Sequence, residues 1–469
     1  MSAFPSDLFA GKRYYVVGLG KNGLPAVHAL TAMGATVDAW DDNGPAREAA
    51  GGITLRDPTA DDPMGGGLAY DALVLSPGIP HTLPHPHIAA TRAREAGVPI
   101  LSDVELLFQA VRKSGSRARF AGITGTNGKS TTTALLAHIL EGAGRSVAAG
   151  ANLGPAALSL PLLVDDGIYV LEMSSYMLER LDSVRFDAAT MLNLSADHIE
   201  RHGDMAGYSM AKRAIFDRQT PDDLAVIGID DAGSRDMATW LRSRPARVVT
   251  VSGEGRADLW GADIWCDHTT LRDATGPIVD LAEARALPGA HNAQNAAAAA
   301  AMAFAFGVGR AEIAAGIQSY PGLPHRQQRV GDIDGIAFIN DSKATNADST
   351  ARALVCHERI VWIAGGMEKE GGIVPLTEYF PRIAHALLIG RDAPGFAATL
   401  AAHHVPHEVV GTLENAVPAA LAAARRTGAP VVLLSPACAS WDQFTGYDQR
   451  GDRFAALVAD LVADVGRAA

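Results

Sequence analysis

The amino-acid sequence predicts an α/β protein of three domains, each built around a mostly parallel sheet. Short apolar segments typical of strands alternate with helical segments along the 469 residues. A chain of this length exceeds what one hydrophobic core supports. A polar break at 113–117 and a Pro/Gly cluster at 320–324 divide the pattern. We therefore expect domains at 1–114, 115–322 and 323–469.

Strand-like segments recur in each predicted domain. They lie at 14–17, 36–40, 72–75 and 99–101 in the first domain, at 120–124, 168–173, 188–192 and 224–229 in the second, and at 336–340, 360–364, 386–389 and 431–434 in the third. Alternation with helices implies parallel sheets, whose ligand sites lie at the carboxyl ends of the strands. The segments rich in Gly, Asn, Asp, Ser and Lys follow these strands directly.

Composition and charge exclude several classes of protein. Apolar residues make up 48% and charged residues 20% of the chain, as in ordinary globular proteins. A formal net charge of -12 argues against nucleic acid or an anionic membrane as the main partner. The cysteines, Cys266, Cys356 and Cys438, imply no disulfide framework, and no apolar run approaches the roughly 20 residues of a membrane span. We expect a cytoplasmic monomer that binds small molecules.

The first domain opens with a Rossmann-like βαβ pattern. The strand at 14–17 is followed by Gly18-Leu19-Gly20-Lys21-Asn22-Gly23, a helical segment and the strand at 36–40. A Gly-x-Gly-x-x-Gly turn at this place holds a diphosphate, and Asp41, about 20 residues on, stands where a ribose hydroxyl is often held. Taken alone, the pattern suggests NAD and a dehydrogenase. The same loop can serve another nucleotide diphosphate, so the motif does not identify its ligand.

The central domain has the most specific motif, Ile123-Thr124-Gly125-Thr126-Asn127-Gly128-Lys129-Ser130-Thr131. A glycine-rich turn between a strand and a helix lets backbone N–H groups surround a polyphosphate. Lys129 can then reach the terminal phosphates, and Ser130 or Thr131 can hold Mg²⁺. Ile123 stands where the usual P-loop has its first Gly, but the strand–loop–helix context favours ATP binding over an ordinary helix N-terminus.

Two more residues of the central domain, Glu172 and His198, are candidates for metal chemistry. Glu172 closes a strand near the P-loop, where a carboxylate is a natural Mg²⁺ ligand, although a capping or surface Glu fits the pattern as well. His198, after Asp197 at another strand end, could supply a second metal site, whereas a lone His is more often structural. Lys212 lies in a predicted helix at 208–216, and the pattern alone favours a solvated lysine.

Further motifs follow in a fixed order. They are Glu172-Met173-Ser174-Ser175, Asn193 with Asp197-His198, Ala211-Lys212, His291-Asn292 with Asn295, His325-Arg326, the segments 340–346 and 435–440, and Asp442-Gln443-Phe444 with Arg450, Gly451 and Phe454. Together with the P-loop they resemble the Mur ligase family, the ATP-dependent amide-bond-forming enzymes of peptidoglycan precursor synthesis. The resemblance covers nearly the whole chain.

The resemblance implies a Rossmann-like N-terminal domain, a central P-loop ATPase-type domain and a Rossmann-like C-terminal domain. It implies that ATP phosphorylates the carboxylate of UDP-N-acetylmuramoyl-L-alanine and that the amine of D-glutamate displaces the phosphate. The rivals are a related ligase that adds L-glutamate or another amino acid, and a folate-type polyglutamate ligase. The rivals from other functional classes are a nicotinamide-dependent oxidoreductase and a non-catalytic nucleotide-binding module.

The resemblance also implies the site residues. Those for ATP are Gly125, Thr126, Asn127, Gly128, Lys129, Ser130, Thr131, Asn295, Arg326, Asp341 and Lys343. Those for the UDP substrate are Gly18, Gly20, Lys21, Asn22, Gly23, Asp41, Asp42, Ser76, Gly78 and Asn152, and those for glutamate are Lys369, Ser440, Trp441 and Tyr447. Two Mg²⁺ sites would use Ser130, Glu172, His198 and Lys212, with Lys129, His198 and Lys212 catalytic.

In this family the lysine matching Lys212 is carbamylated, which overrides the solvated-lysine interpretation. A carbamate offers Mg²⁺ two oxygen donors, whereas an ammonium group is repelled by the metal. The chain departs from the family pattern at Trp441, where Leu is usual, at Tyr447, where Phe is usual, at Gln327, where an aromatic or apolar residue is usual, and at Asp42-Asn43, where Thr-Arg is usual. These departures leave the P-loop untouched.

Overall fold

The computed structural model describes residues 2–60, 64, 69–255, 261–369 and 371–468. The chain forms two compact units: the first comprises Met1–Ala284 and Ala290–Tyr320, and the second comprises Arg285–Gly289 and Pro321–Ala469. The predicted α/β class is confirmed, with three mostly parallel sheets. The predicted domain boundaries at 114 and 322 stay predictions.

The first unit begins with a five-stranded, wholly parallel sheet in the order β3-β2-β1-β4-β5. Its elements are β1 (Arg13–Val17), α1 (Gly23–Ala32), β2 (Thr36–Trp40), α2 (Gly44–Ala49), β3 (Thr54–Leu55), β4 (Ala72–Leu75), α3 (Ile88–Glu95), β5 (Ile100–Leu101) and α4 (Asp103–Lys113). The chain order reverses between β1 and β4, and ligands of doubly wound sheets bind in the crevice at such a point.

The rest of the first unit surrounds a nine-stranded sheet in the order β14-β13-β12-β11-β10-β9-β6-β8-β7. Its strands are β6 (Arg119–Thr124), β7 (Val147–Ala151), β8 (Ile168–Glu172), β9 (Ala188–Met191), β10 (Leu224–Gly228), β11 (Arg247–Ser252), β12 (Ile264–Asp267), β13 (Thr270–Asp273) and β14 (Gly276–Asp280). Its helices are α5 (Lys129–Gly142), α6 (Ser175–Leu178), α7 (Ile199–His202), α8 (Met205–Arg213), α9 (Ala232–Leu241), α10 (Ala290–Ala305) and α11 (Arg310–Ser319). The strand β6, which leads into the P-loop, lies inside this sheet between β9 and β8.

The second unit surrounds a six-stranded sheet in the order β15-β16-β20-β17-β18-β19, parallel except for β15. Its elements are β15 (Gln328–Ile333), β16 (Ile336–Asn340), α12 (Ala347–Leu354), β17 (Ile360–Gly365), β18 (Ile383–Ile389), α13 (Ala393–Ala402), β19 (His407–Gly411), α14 (Leu413–Thr427), β20 (Val431–Leu434) and α15 (Tyr447–Ala468). Separate apolar clusters cover its two faces, with Trp362 fully buried in one and Phe338 in the other.

The strands predicted from sequence are all present, with small differences at their ends. The sequence prediction missed β3, β11, β15 and β19, the antiparallel ribbon β12–β14, and β7, whose small residues Val147 to Ala151 lack the β-branched pattern of a strand. The helix predicted to reach residue 216 ends at Arg213. Among the described residues, no helix is long and apolar enough to cross a membrane.

Candidate active site

A cavity of about 720 Å³ in the first unit collects loops from both of its sheets. Its wall includes loops that follow β1, β2, β4, β6, β7, β8 and β9, all at the carboxyl ends of parallel strands. The predicted residues that line it are Gly18, Gly20, Lys21, Asn22, Asp41, Asp42, Ser76, Gly78, Lys129, Asn152, His198 and Lys212. The lining residues that the sequence did not single out as site residues include Asn43, His87, Tyr176 and Tyr208.

The glycine-rich loop after β1 is held tightly against its neighbours. A Cβ atom at Gly23 would lie 1.6 Å from the carbonyl oxygen of Gly18, so a side chain there would displace the loop. The hydroxyl of Ser76 donates to that same carbonyl at 2.8 Å. Asp41 accepts from the backbone N–H groups of Leu19 at 2.6 Å and Asn43 at 2.8 Å. Asp41 therefore shapes the loop directly, besides lining the cavity.

Polar contacts join the glycine-rich loop to the nine-stranded sheet. Lys21 Nζ donates to the carbonyl oxygen of Asn152 at 2.9 Å, and Asn152 Nδ2 donates to Glu172 Oε1 at 2.6 Å. Asn22 Nδ2 donates to Asp103 Oδ2 at 3.0 Å, and the N–H of Ala157 donates to the same oxygen at 3.2 Å. Burial raises the pKa of Asp103.

The loop that begins at Ser76 is held by a buried cation. Arg180 donates to the carbonyl oxygens of Leu75 at 2.6 Å, Ser76 at 3.0 Å and Ile79 at 2.5 Å. Burial, with a smaller contribution from the charge of the nearby Arg201, lowers the pKa of Arg180 to about 9. Arg180 was missed from sequence because its role depends on a loop about 100 residues earlier, where only tertiary structure brings the two together.

The P-loop has the shape that its sequence predicts. Gly128 has a φ of 84° and precedes α5, and a Cβ atom there would lie 2.2 Å from Asn295 Oδ1. Lys129 Nζ is folded onto the loop, donating to the carbonyl oxygens of Gly125 and Thr126 at 2.8 Å each. Asn193 Oδ1 accepts from the N–H of Asn127 at 2.8 Å and so braces the turn.

Lys212 is almost fully buried, so the interpretation from pattern alone as a solvated lysine is wrong. Its Nζ donates to the carbonyl oxygen of Gly125 at 2.8 Å and lies 4.6 Å from the ring centroid of Tyr208. Burial holds the pKa of Lys212 well below its usual value, and the charge of Lys129 adds to the effect. Both lysines donate to the carbonyl of Gly125, which favours an uncharged amine at Lys212.

Glu172 and His198 lie in different environments. Glu172 is buried at the end of β8, and its Oε2 has no hydrogen-bond partner among the described residues. His198 is half exposed, with Nε2 3.4 Å from Asp197 Oδ2, and its ring centroid lies 5.0 Å from that of Tyr176. Across the described part of the chain, no group of three or more His, Cys, Asp or Glu side chains could hold a metal ion.

In the second unit, the segments that contain Lys369 and Ser440 lie side by side. Met367 and Ala439 form an antiparallel bridge, with N–H to carbonyl distances of 2.9 and 3.0 Å. Ser440 is buried, whereas Lys369 is exposed and Trp441 is 72% exposed. Two segments about 70 residues apart in sequence are thereby placed next to each other at the carboxyl ends of β17 and β20.

The second unit also contains Asp341, Lys343 and Tyr447. Lys343 Nζ lies 3.8 Å from the ring centroid of Tyr447. Asp341 Oδ2 accepts from the hydroxyl of Ser435 at 2.7 Å, and Asp341 Oδ1 accepts from the N–H of Gln327 at 3.2 Å. Burial raises the pKa of Asp341 to about 7, opposed by the hydrogen bond from Ser435 and by the charge of Arg326.

Comparison with known proteins identifies the class. The segment 123–303 matches the Mur ligase middle domain. The chain is 50% identical over 455 residues to a protein of Paramagnetospirillum magneticum, with 96% of this chain and 97% of that protein aligned. It is 44% identical over 470 residues to a protein of Caulobacter vibrioides, with 98% of each chain aligned. The chain belongs to the Mur ligase family, which confirms the resemblance seen in the sequence.

Within that family, both relatives are named UDP-N-acetylmuramoylalanine–D-glutamate ligase. Two solved structures agree in fold. MurC of Thermotoga maritima has a TM-score of 0.57 at 17% identity over 95% of this chain and 98% of that chain. MurF of Acinetobacter baumannii has a TM-score of 0.57 at 19% identity over 77% of this chain and 81% of that chain.

Proposed function

We propose that the chain catalyses the ATP-dependent addition of D-glutamate to UDP-N-acetylmuramoyl-L-alanine, a step of peptidoglycan precursor synthesis. One observation supports this activity above the others: a single cavity is lined both by the glycine-rich loop from Gly18 to Gly23 and by Lys129 of the P-loop. A substrate with a nucleoside diphosphate and a reactive carboxylate needs both features in one site. The names of the relatives specify which substrate that is.

The sugar nucleotide is proposed to lie with its diphosphate on the glycine-rich loop. The loop ends at the N-terminus of α1, where backbone N–H groups and the helix dipole favour anions. Lys21 adds a positive charge, and Asn152 joins this loop to the central domain. The alanyl carboxylate then reaches the part of the wall formed by Lys129 and Lys212. A nicotinamide would gain nothing from these two lysines, which disfavours the oxidoreductase.

ATP is proposed to bind the P-loop, with its adenine near Asn295. Lys129 would leave the carbonyl oxygens of Gly125 and Thr126 for the phosphates, since a phosphate is the stronger acceptor. A carboxylate oxygen of the alanyl group attacks the γ-phosphorus and ADP leaves, giving an acyl phosphate. Lys129 lowers the activation barrier of this step, because its positive charge offsets the repulsion between the alanyl carboxylate and the triphosphate as they approach each other.

Glu172 and Ser130 are the residues proposed to hold a first Mg²⁺, and His198 and Lys212 a second. The buried, unpartnered Oε2 of Glu172 fits a hard cation, which takes oxygen ligands. When bound, Mg²⁺ would supply charge stabilisation for the transferred phosphoryl group. Lys212 is proposed to react with CO₂ as a neutral amine, forming an N–C bond and releasing one proton. Its lowered pKa favours that neutral form.

D-glutamate is proposed to bind the second unit between the segments of Lys369 and Ser440. Lys369 would hold the side-chain carboxylate, and the hydroxyl of Ser440 would add a hydrogen bond. Trp441 and Tyr447 would border the amino acid. The amine attacks the acyl carbon, and the tetrahedral intermediate breaks its C–O bond to release phosphate. We further propose that the protein acts in the cytoplasm as a monomer, on small molecules, without nucleic-acid or membrane partners.

A panel of amino acids tests the proposed activity. With ATP, Mg²⁺ and UDP-N-acetylmuramoyl-L-alanine present, we expect phosphate release with D-glutamate and little above the blank with L-glutamate or neutral amino acids. The physical reason is that Lys369 would pair with a side-chain carboxylate, which neutral amino acids lack, while the D configuration follows the names of the relatives. Phosphate release is measured by a continuous colorimetric assay. A rate with D-glutamate no higher than the blank would contradict the proposal, and a faster rate with another amino acid would favour the related ligase.

A further inference from the structure

A serine, a histidine and a glutamate form a hydrogen-bonded chain at one wall of the cavity. Ser175 Oγ lies 2.9 Å from His202 Nε2, and His202 Nδ1 lies 2.8 Å from Glu179 Oε1. Ser175 begins α6 and lines the cavity, Glu179 directly follows that helix, and His202 ends α7. A hydroxyl bonded to an imidazole, which is in turn bonded to a carboxylate, is the arrangement that activates a serine as a nucleophile.

The surroundings of His202 fix its orientation and its tautomer. Its side chain is 1% exposed and packs against Tyr176 and Tyr208, with ring centroids 5.7 and 5.3 Å from its own. A carboxylate only accepts hydrogen bonds, so Nδ1 carries the proton and donates to Glu179. Nε2 is then the acceptor for the hydroxyl proton of Ser175. Burial, as the largest cause, lowers the pKa of His202 to about 4, so the ring is neutral at pH 7 and can take up a proton.

Glu179 is the group that keeps His202 in this tautomer. Burial raises the pKa of Glu179, and the charges of Arg201 and Arg180 oppose the rise. Two neighbouring cations favour the ionised carboxylate, which is the form that accepts from Nδ1–H. An ionised partner also stabilises the imidazolium that forms when Nε2 takes a proton.

Two other serines of the chain provide comparisons. Ser174 lines the same cavity, but its Oγ caps α6 by accepting from the N–H of Met177 at 3.3 Å. Ser319 Oγ lies 3.0 Å from His138 Nε2, away from the cavity, and within the described residues His138 forms no ion pair with a carboxylate. Ser175 therefore differs from Ser174 in having a histidine, and from Ser319 in having the carboxylate behind that histidine.

We propose that Ser175 is a nucleophile that hydrolyses activated carboxylic esters, with His202 as the general base and Glu179 as the positioning residue. Ser175 Oγ bonds to the carbonyl carbon, its proton passes through His202 Nε2 to the leaving oxygen, and the C–O bond to that oxygen breaks. Water then attacks the acyl-serine, and His202 returns the proton of that water to Oγ as the acid departs. Lys129 in the same cavity offers a positive charge for the oxyanion. This activity needs neither ATP nor an amino acid and is independent of the proposed ligation.

The test uses the full chain without nucleotides, with p-nitrophenyl acetate as the ester and a fluorophosphonate as the covalent probe. We expect p-nitrophenolate release above the uncatalysed rate, followed by absorbance. We also expect one phosphonyl group on Ser175, where a P–O bond replaces the P–F bond, located by tandem mass spectrometry. Ser175→Ala should lose both reactions. His202→Ala should slow both by about a hundredfold or more, the scale of a general base.

Matched variants separate the catalytic roles from packing. Glu179→Gln keeps the size of the side chain, but its amide can donate to Nδ1 and reverse the tautomer, so both reactions should slow at least about tenfold. Glu179→Asp keeps the carboxylate and should retain part of the rate at a similar melting temperature. If His202→Ala does not fold, Glu179→Gln carries the test. His138→Ala is the control and should leave both rates unaltered, and Ser174 and Ser319 should stay unlabelled.

The outcomes distinguish this inference from the proposed function. No label on Ser175, or labelling that is equally fast in His202→Ala and Glu179→Gln, would overturn the role of Ser175. A label on Ser175 without release of p-nitrophenolate would overturn the hydrolysis of esters. Ligation is measured separately with ATP and D-glutamate, so either activity can fail while the other stands.

Discussion

Replacing Lys129 with alanine is expected to lower kcat for ADP formation by about a thousandfold or more, the scale seen when a group that stabilises developing charge is removed. Lys129 is the P-loop cation, its Nζ lies 2.8 Å from two loop carbonyls, and it lines the cavity proposed for the sugar nucleotide. Without it, the carboxylate and the triphosphate would approach each other with their repulsion uncompensated. The rate would be measured by coupled ADP detection at saturating substrates.

Folding controls make the result for Lys129→Ala interpretable. The side chain is half-buried and its two acceptors are backbone carbonyls at the mouth of the loop, so solvent can replace it at little cost to stability. The melting temperature should stay within a few degrees of that of the unaltered chain. Lys113→Ala, at the exposed end of α4, should keep full activity. Substantial turnover by Lys129→Ala would rule out the phosphate-binding role.

Replacing Lys212 with alanine is expected to lower activity about a hundredfold or more, with partial recovery on adding formate, acetate or propionate. The loss would follow from removal of the carbamate that is proposed to bind Mg²⁺. Lys212 is almost fully buried beside Gly125 and Tyr208, so the truncation leaves a space next to the P-loop. A small carboxylate that enters this space supplies the missing oxygen ligands. Activity is measured as phosphate release against carboxylate concentration.

The controls for Lys212 separate rescue from a general salt effect. Chloride at equal ionic strength should give no recovery, and the same carboxylates should not stimulate Lys113→Ala or the unaltered chain. Lys212→Met, which fills the space with an apolar side chain, should be inactive and unresponsive to carboxylates. Full activity of Lys212→Ala without any additive would eliminate the carbamate.

The parts of the site that depend on local sequence were predictable. The loops from Gly18 and from Gly125 each lie between a strand and a helix, and each was predicted there because only glycine allows those turns. The rule that carboxyl ends of parallel strands carry ligand sites placed each loop at the edge of its own sheet, but it did not place the two loops in one cavity. Lys129, Asn152 and His198 accordingly line the same wall.

Burial of polar groups could not be predicted from local pattern. Lys212 follows Tyr208 by four residues, so both lie on the same face of α8, and that spacing was the available signal. Met210 lies between them and is exposed, although an apolar residue is normally expected on the buried face of a helix. The spacing of Tyr208 and Lys212 therefore did not indicate that Lys212 is buried. His87 and Arg180 act on residues distant in sequence, which only tertiary packing brings close. The strands β12–β14 were missed because they are short and partly polar.

The most direct test follows one oxygen atom. UDP-N-acetylmuramoyl-L-alanine labelled with oxygen-18 in both carboxylate oxygens would be incubated with ATP, Mg²⁺ and D-glutamate, and the released phosphate analysed by mass spectrometry. Attack of the carboxylate on the γ-phosphorus beside Lys129, followed by loss of phosphate, predicts one labelled oxygen in each phosphate. Unlabelled phosphate, released together with the amide product, would contradict the acyl phosphate.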